Sequence, residues 1–114
     1  MMIKIFHNNR CMKSRLGIKF LEENELNFEI INYLNNPLSL EEIKIIVKKL
    51  KIKPIELVRK NETIWKSNYK NKELSDEEIV TAMFNYPKLI ERPIIINGDK
   101  AVIGRPAEKI LDII

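Results

Sequence analysis

Cys11 is the single cysteine of a 114-residue chain, and the cations Arg10, Lys13 and Arg15 stand within four residues of it. A thiol reacts as its thiolate, and positive neighbours lower the pKa at which the thiolate forms. Ser14 makes the spacing Cys11-Met12-Lys13-Ser14 a C-x-x-S, so no second thiol stands where a dithiol oxidoreductase keeps its resolving cysteine. The Ser14 hydroxyl is instead a possible hydrogen-bond donor to the thiolate. The residue six after Cys11 is Gly17, which excludes the C-x5-R loop of tyrosine-phosphatase chemistry. His7 is the single histidine, four residues before Cys11. The residues alone leave two roles open for it, a protonated ring stabilising the thiolate or a turn histidine bonded to backbone. For Cys11 the alternative to a reactive thiol is an inert, buried, small hydrophobe. Its polar neighbours and its place off the apolar stripe weigh towards reactivity.

The elements around Cys11 give it a position. Met2-Ile3-Lys4-Ile5-Phe6 alternates around β-branched residues and predicts a strand. The polar turn His7-Asn8-Asn9-Arg10 follows, then a helix from Cys11 to Glu23 with Leu16, Phe20 and Leu21 as its apolar positions. Cys11 therefore falls at a helix N-terminus, where free N–H groups and the macrodipole favour an anion by about 0.3–1 kcal/mol. A second strand, Asn27 to Asn32, completes β-α-β and implies a parallel pair with a right-handed crossover.

Ser39-Leu40-Glu41-Glu42 and Ser75-Asp76-Glu77-Glu78 are capping boxes that open two further helices. The first has an apolar face of Leu40, Ile43, Ile46, Val47 and Leu50. The second places Ile79, Val80, Met83 and Phe84 inside and stops or kinks at Pro87. Between them, Pro54 opens a short helix to about Lys60. Residues 60–74 are weakly patterned and read as mostly loop, with Trp65 as an anchor. Asn97-Gly98-Asp99-Lys100 between Ile94-Ile95-Ile96 and Ala101-Val102-Ile103 is a hairpin signal. A final helix, Ala107 to Ile114, turns Ile110, Leu111 and Ile114 inward. This order predicts an α/β, thioredoxin-like fold: a mixed parallel and antiparallel sheet, helices on both faces, and a helical insertion over about residues 38–90. The length suits one domain spanning 1–114.

Composition excludes several functions. One Cys and one His complete neither a disulfide framework nor a tetrahedral zinc site. No apolar run approaches the ~20 residues of a membrane span, and residues 1–7 lack the apolar stretch of a signal peptide, so the reading is a cytoplasmic protein. The net charge of +4 is concentrated near the thiol, with five cations and no acid in residues 1–21. No groove-reading motif accompanies that charge, which gives no ground for a nucleic-acid partner.

His7-Asn8-Asn9-Arg10-Cys11-Met12-Lys13-Ser14-Arg15 resembles the H-x3-C-x3-R signature of the glutaredoxin-dependent arsenate reductases, the ArsC family. The likeness continues in order through Tyr33-Leu34-Asn35-Asn36-Pro37, Leu57-Val58-Arg59-Lys60-Asn61, Leu89-Ile90-Glu91-Arg92-Pro93-Ile94 and Gly104-Arg105-Pro106. The resemblance implies that Cys11 is the nucleophile that attacks arsenate. It implies that Arg59, Arg92 and Arg105 hold the oxyanion, that His7 keeps the thiol ionised with Ser14 and Arg15 beside it, and that Pro93 is a structural cis-proline. Arginine suits that task, because its planar fork matches a tetrahedral oxyanion and stays charged. No bound cofactor or metal is implied. Glutathione is the implied co-substrate, glutaredoxin the implied partner and a monomer the implied state. The family often has proline where this chain has Asn9 and a small residue where it has Met12. Two other readings share the fold: a glutathione-dependent thiol reductase, and an Spx-like regulator that binds RNA polymerase without catalysis. Spx proteins usually carry C-x-x-C, which Ser14 breaks.

Overall fold

The structure is a computed structural model and describes residues 2–114. The chain divides into two compact units, one made of residues up to Asn36 together with Arg92–Ile114, the other of Pro37–Glu91.

The first unit holds one four-stranded sheet in the order β2-β1-β3-β4, with β1 Ile3–Phe6, β2 Phe28–Ile31, β3 Ile94–Asn97 and β4 Lys100–Ile103. β1 runs parallel to β2 and antiparallel to β3, in the register Ile5↔Ile30 and Ile5↔Ile95. The parallel β1-α1-β2 unit thus sits beside a hairpin, the thioredoxin-like arrangement. Gly98, with φ 66°, supplies the left-handed residue that the two-residue turn between β3 and β4 requires. On one sheet face, Ile3, Ile5 and Ile95 pack with Leu21 of helix α1 (Met12–Glu23) and with Ile110 and Ile113 near the C-terminus. Phe6, Ile94 and Ile96 point to the other face and are buried as well.

Two helices of this unit differ from their sequence readings, for different reasons. The inward face of α1 is Ser14, Gly17 and Leu21, whereas Leu16 is 42% exposed. Small residues at i and i+3, Ser14 and Gly17, allow close packing without contributing to a hydrophobic pattern. The C-terminal segment Ala107–Ile113 is a 3-10 helix in which Ile110 and Ile113 are buried, while Leu111 and Ile114 face solvent. Three residues per turn put positions three apart on one face, so the 3.6-residue pattern selects the wrong partners for Ile110.

The second unit carries α2 (Leu40–Leu50), α3 (Thr63–Asn68) and α4 (Asp76–Asn85), with 3-10 turns at Pro54–Leu57 and Pro87–Leu89. Both capping boxes close: Ser39 with Glu42 and Ser75 with Glu78 exchange side-chain and backbone bonds of 2.9–3.2 Å. The α3 helix corrects the loop expected over residues 60–74. Trp65 is buried and stacks on Tyr69 at 5.3 Å, so tertiary packing orders a segment of weak local pattern. Phe84 is 40% exposed rather than inside, because Ala82 shares the buried arc with Ile79, Val80 and Met83, and Phe84 falls just past its edge. A short antiparallel ladder closes the unit, with Val58 bridged to Ile90 and the Glu91 N–H donating to the Leu57 carbonyl at 2.8 Å. Among the described residues, no helix is long and apolar enough to cross a membrane.

Candidate active site

Cys11 is the N-cap of α1, in extended conformation, and its carbonyl accepts the first helical bond from the Arg15 N–H at 3.1 Å. The turn before it is fixed by Asn8. The Asn8 carbonyl accepts from the Cys11 N–H at 3.0 Å, and its side-chain Oδ1 accepts from the Arg10 N–H at 2.9 Å. This Asx turn directs the chain out of β1 and into α1 with the thiol at the junction.

The sulfur faces the N–H groups of Ser14 and Lys13 without closing a capping bond of ordinary geometry. Its pKa lies below the ordinary thiol value. Burial pushes it up, but the Ser14 N–H, the Arg92 guanidinium and the Lys13 N–H together outweigh burial. These are the interactions a helix N-terminus and a neighbouring cation offer an anion. Arg92 is 8% exposed, an unusual depth for a guanidinium. Burial works against its charge, while Tyr33 and Cys11 favour it strongly enough to raise its pKa. Tyr33 is fully buried in the same unit. No sequence signal marks its phenol as a neighbour of Arg92, since the motif that contains it is otherwise a turn.

Behind the thiol lies a small buried polar cluster. The Ser14 Oγ accepts from the Asn8 N–H at 3.0 Å and pairs with His7 Nδ1 at 2.8 Å, and Ser14, Asn8 and His7 are all buried. The serine hydroxyl is therefore engaged with His7 and Asn8, and the Ser14 group that acts on the sulfur is its backbone N–H. Burial lowers the His7 pKa below its ordinary 6.5; hydrogen bonding to Ser14 works the other way, and the charge of Arg15 lowers it further. A pKa below 6.5 favours the neutral ring at pH 7, and its hydrogen bond is to Ser14. Arg15 itself is exposed, with Nη1 donating to the Asn9 carbonyl at 3.3 Å.

Two expected outcomes follow from this cluster. Ser14→Ala strands a buried N–H and a buried ring nitrogen, at about 1–3 kcal/mol for each group left without a partner. The thermal midpoint is expected to fall by several degrees, whereas alanine at the exposed Ser67 changes it little. The second concerns pH. A histidine with a lowered folded pKa contributes stability above its unfolded value of 6.5, and that stability is lost as pH falls towards the folded value. Denaturant unfolding is expected to show a decline as pH falls through about 6.5 that His7→Gln abolishes.

Arg105 is half-buried just after β4, next to Gly104, whose N–H donates to the Pro93 carbonyl at 2.8 Å. The segments carrying Arg92 and Arg105 are thereby tied together. The Arg92–Pro93 and Arg105–Pro106 peptide bonds are both cis. Arg59 belongs to the second unit. Its N–H donates to the Leu89 carbonyl at 2.7 Å, its Nε lies 3.5 Å from Glu62 Oε1, and its Nη1 is buried. Among the described residues, no three His, Cys, Asp or Glu side chains gather as a metal ion would need.

A model of the ArsC family matches residues 6–113, from the last residue of β1 to the end of the C-terminal 3-10 helix. The chain belongs to the ArsC family. It is 41% identical to an arsenate reductase of Haemophilus influenzae, with all of both chains covered. It is 40% identical to an uncharacterised protein of Escherichia coli over 98% of this chain and 96% of that one. Among solved structures, an arsenate reductase from Vibrio cholerae superposes with a TM-score of 0.94 at 36% identity, covering 100% of this chain and 98% of that chain. The similarity to these ArsC proteins thus includes both compact units.

Proposed function

We propose that this protein reduces arsenate to arsenite, with Cys11 as the nucleophile. The observation that carries the reading is the setting of the Cys11 sulfur. A thiol of lowered pKa at a helix N-terminus, beside a buried arginine, is suited to act both as a nucleophile and as part of an oxyanion site. Membership of a family whose relatives include arsenate reductases supplies the substrate.

In this reading the Cys11 thiolate attacks arsenic(V), and an oxygen leaves as hydroxide or water to give a thiol–arsenate adduct. Arg92 and Arg105 neutralise the adduct's oxygens; Arg59 has the same proposed role on the family motif alone. A glutathione thiol displaces a second oxygen as water. A glutaredoxin thiol then attacks the glutathione sulfur, forming a mixed disulfide and leaving its electron pair on arsenic, which becomes arsenic(III). Hydrolysis releases arsenite and restores the Cys11 thiolate. The two electrons come from the two outside thiols, as a chain with one cysteine requires. The neutral His7 and Ser14 hold the loop, and Pro93 carries Arg92. We place this chemistry in the cytoplasm, in a monomer.

The test is a coupled assay with arsenate, glutathione, glutaredoxin and its NADPH-linked reductase. NADPH oxidation that depends on arsenate supports the proposal, and its absence overturns it. Turnover of mixed disulfides without arsenate would identify a thiol reductase instead. Retention on immobilised RNA polymerase with neither turnover would identify a regulator.

A further inference from the structure

Gly17 lies inside α1 and is buried, at a position where a helix ordinarily favours alanine. Gly104 follows β4 and is buried too. Neither has a positive φ, which among the chain's glycines belongs to Gly98. Backbone conformation therefore does not require glycine at either position. Space does. A Cβ on Gly17 would lie 3.0 Å from Pro93 Cγ and 3.3 Å from Ile5 Cδ1. A Cβ on Gly104 would lie 2.7 Å from Ile95 Cδ1 and 3.2 Å from the same Pro93 Cγ. Two elements distant in sequence thus give up their side chains against one ring atom, and the residue before that ring is Arg92.

We propose that Gly17 and Gly104 form a seat for the Pro93 ring and, through it, set how closely the Arg92 guanidinium approaches the Cys11 sulfur. Both are positioning residues for the thiolate. A methyl group at Gly17 pushes the ring away from α1, the helix whose N-terminus carries Cys11. Arg92 is covalently joined to that ring and moves with it. The attraction between guanidinium and sulfur weakens with distance, and any hydrogen bond between them weakens steeply. The functional meaning of the seat rests on Cys11 being the nucleophile, but its test reads thiol ionisation and needs no arsenate.

The experiment is the pH dependence of Cys11 alkylation by iodoacetamide in the parent chain, Gly17→Ala, Gly104→Ala, Arg92→Ala and Gly17→Ala/Arg92→Ala, with a thermal melt of each. Each glycine variant is expected to raise the apparent thiol pKa by roughly half a unit, a loss of thiolate of up to about three-fold at a pH below that pKa. In the Arg92→Ala background, Gly17→Ala is expected to add no further rise. Folded glycine variants with an unchanged thiol pKa would overturn the proposal. So would a fully additive rise in the double variant, which would mean that the glycine acts through the N–H groups of α1. Should either single glycine variant fail to fold, Gly104→Ala is measured together with Ile95→Val. That change removes the Cδ1 in the way and keeps the contact with Pro93.

Discussion

Replacing Cys11 with serine is expected to bring arsenate-dependent turnover down to the rate of the reaction without protein. The loss should be roughly 10³-fold or more, the scale on which losing a covalent nucleophile is felt. The N–H groups of Ser14 and Lys13 and the guanidinium of Arg92 lower the pKa of the Cys11 thiol below its ordinary value. A serine hydroxyl starts far too high for the same groups to ionise it. Nothing nearby replaces the sulfur. The chain has no other cysteine, and the Ser14 hydroxyl is buried and engaged by Asn8 and His7. The substitution is small and Cys11 is only half-buried, so the thermal midpoint should barely move. Arsenate-dependent turnover surviving in a well-folded Cys11→Ser chain would remove Cys11 from the mechanism. Labelling with iodoacetamide checks the same point, with one label expected on the parent chain and none on the variant.

The placement of Cys11 was legible because strand, turn and helix follow one another within twelve residues, each with its own local signal. The capping boxes at Ser39 and Ser75 and the hairpin at Asn97-Gly98 were legible for the same reason: their partners lie two to four residues away. What escaped the sequence was what depends on distant partners or on the absence of a side chain. Ser14 and Gly17 form the inward face of α1, yet neither is hydrophobic. His7 meets Ser14 seven residues on, through a turn whose path Asn8 decides. Tyr33 bears on Arg92 across fifty-nine residues of chain. The 3-10 character of Ala107–Ile113 changes the period itself, so that Ile113 is buried where Leu111 and Ile114 were expected. The arginines were visible only as a residue type at motif positions. Which one reaches the sulfur is a property of the folded unit.

That last distinction predicts the effect of Arg92→Ala. A hydrogen bond to a charged group contributes about 1.5–3 kcal/mol. One pKa unit corresponds to about 1.4 kcal/mol, so losing the guanidinium is expected to raise the Cys11 pKa by about one to two units. Cys11 is partly open to solvent, which favours the lower end. Even so, the pKa moves up towards the free-thiol value of ~8.5, and the thiolate fraction at neutral pH falls. The alkylation profile reads this directly, without substrate. Turnover should fall further than alkylation, because in the proposed mechanism the same guanidinium also neutralises the adduct's oxygens. Arg92→Lys separates the two roles. An ammonium restores a charge near the sulfur and with it part of the pKa, but it lacks the planar fork that grips an oxyanion. The lysine variant is therefore expected to alkylate more like the parent while its KM for arsenate stays high. If alanine at Arg92 leaves the alkylation profile unchanged, the N–H groups of Ser14 and Lys13 alone hold the thiolate. If lysine restores turnover along with alkylation, Arg92 acts on the sulfur and not on the oxyanion.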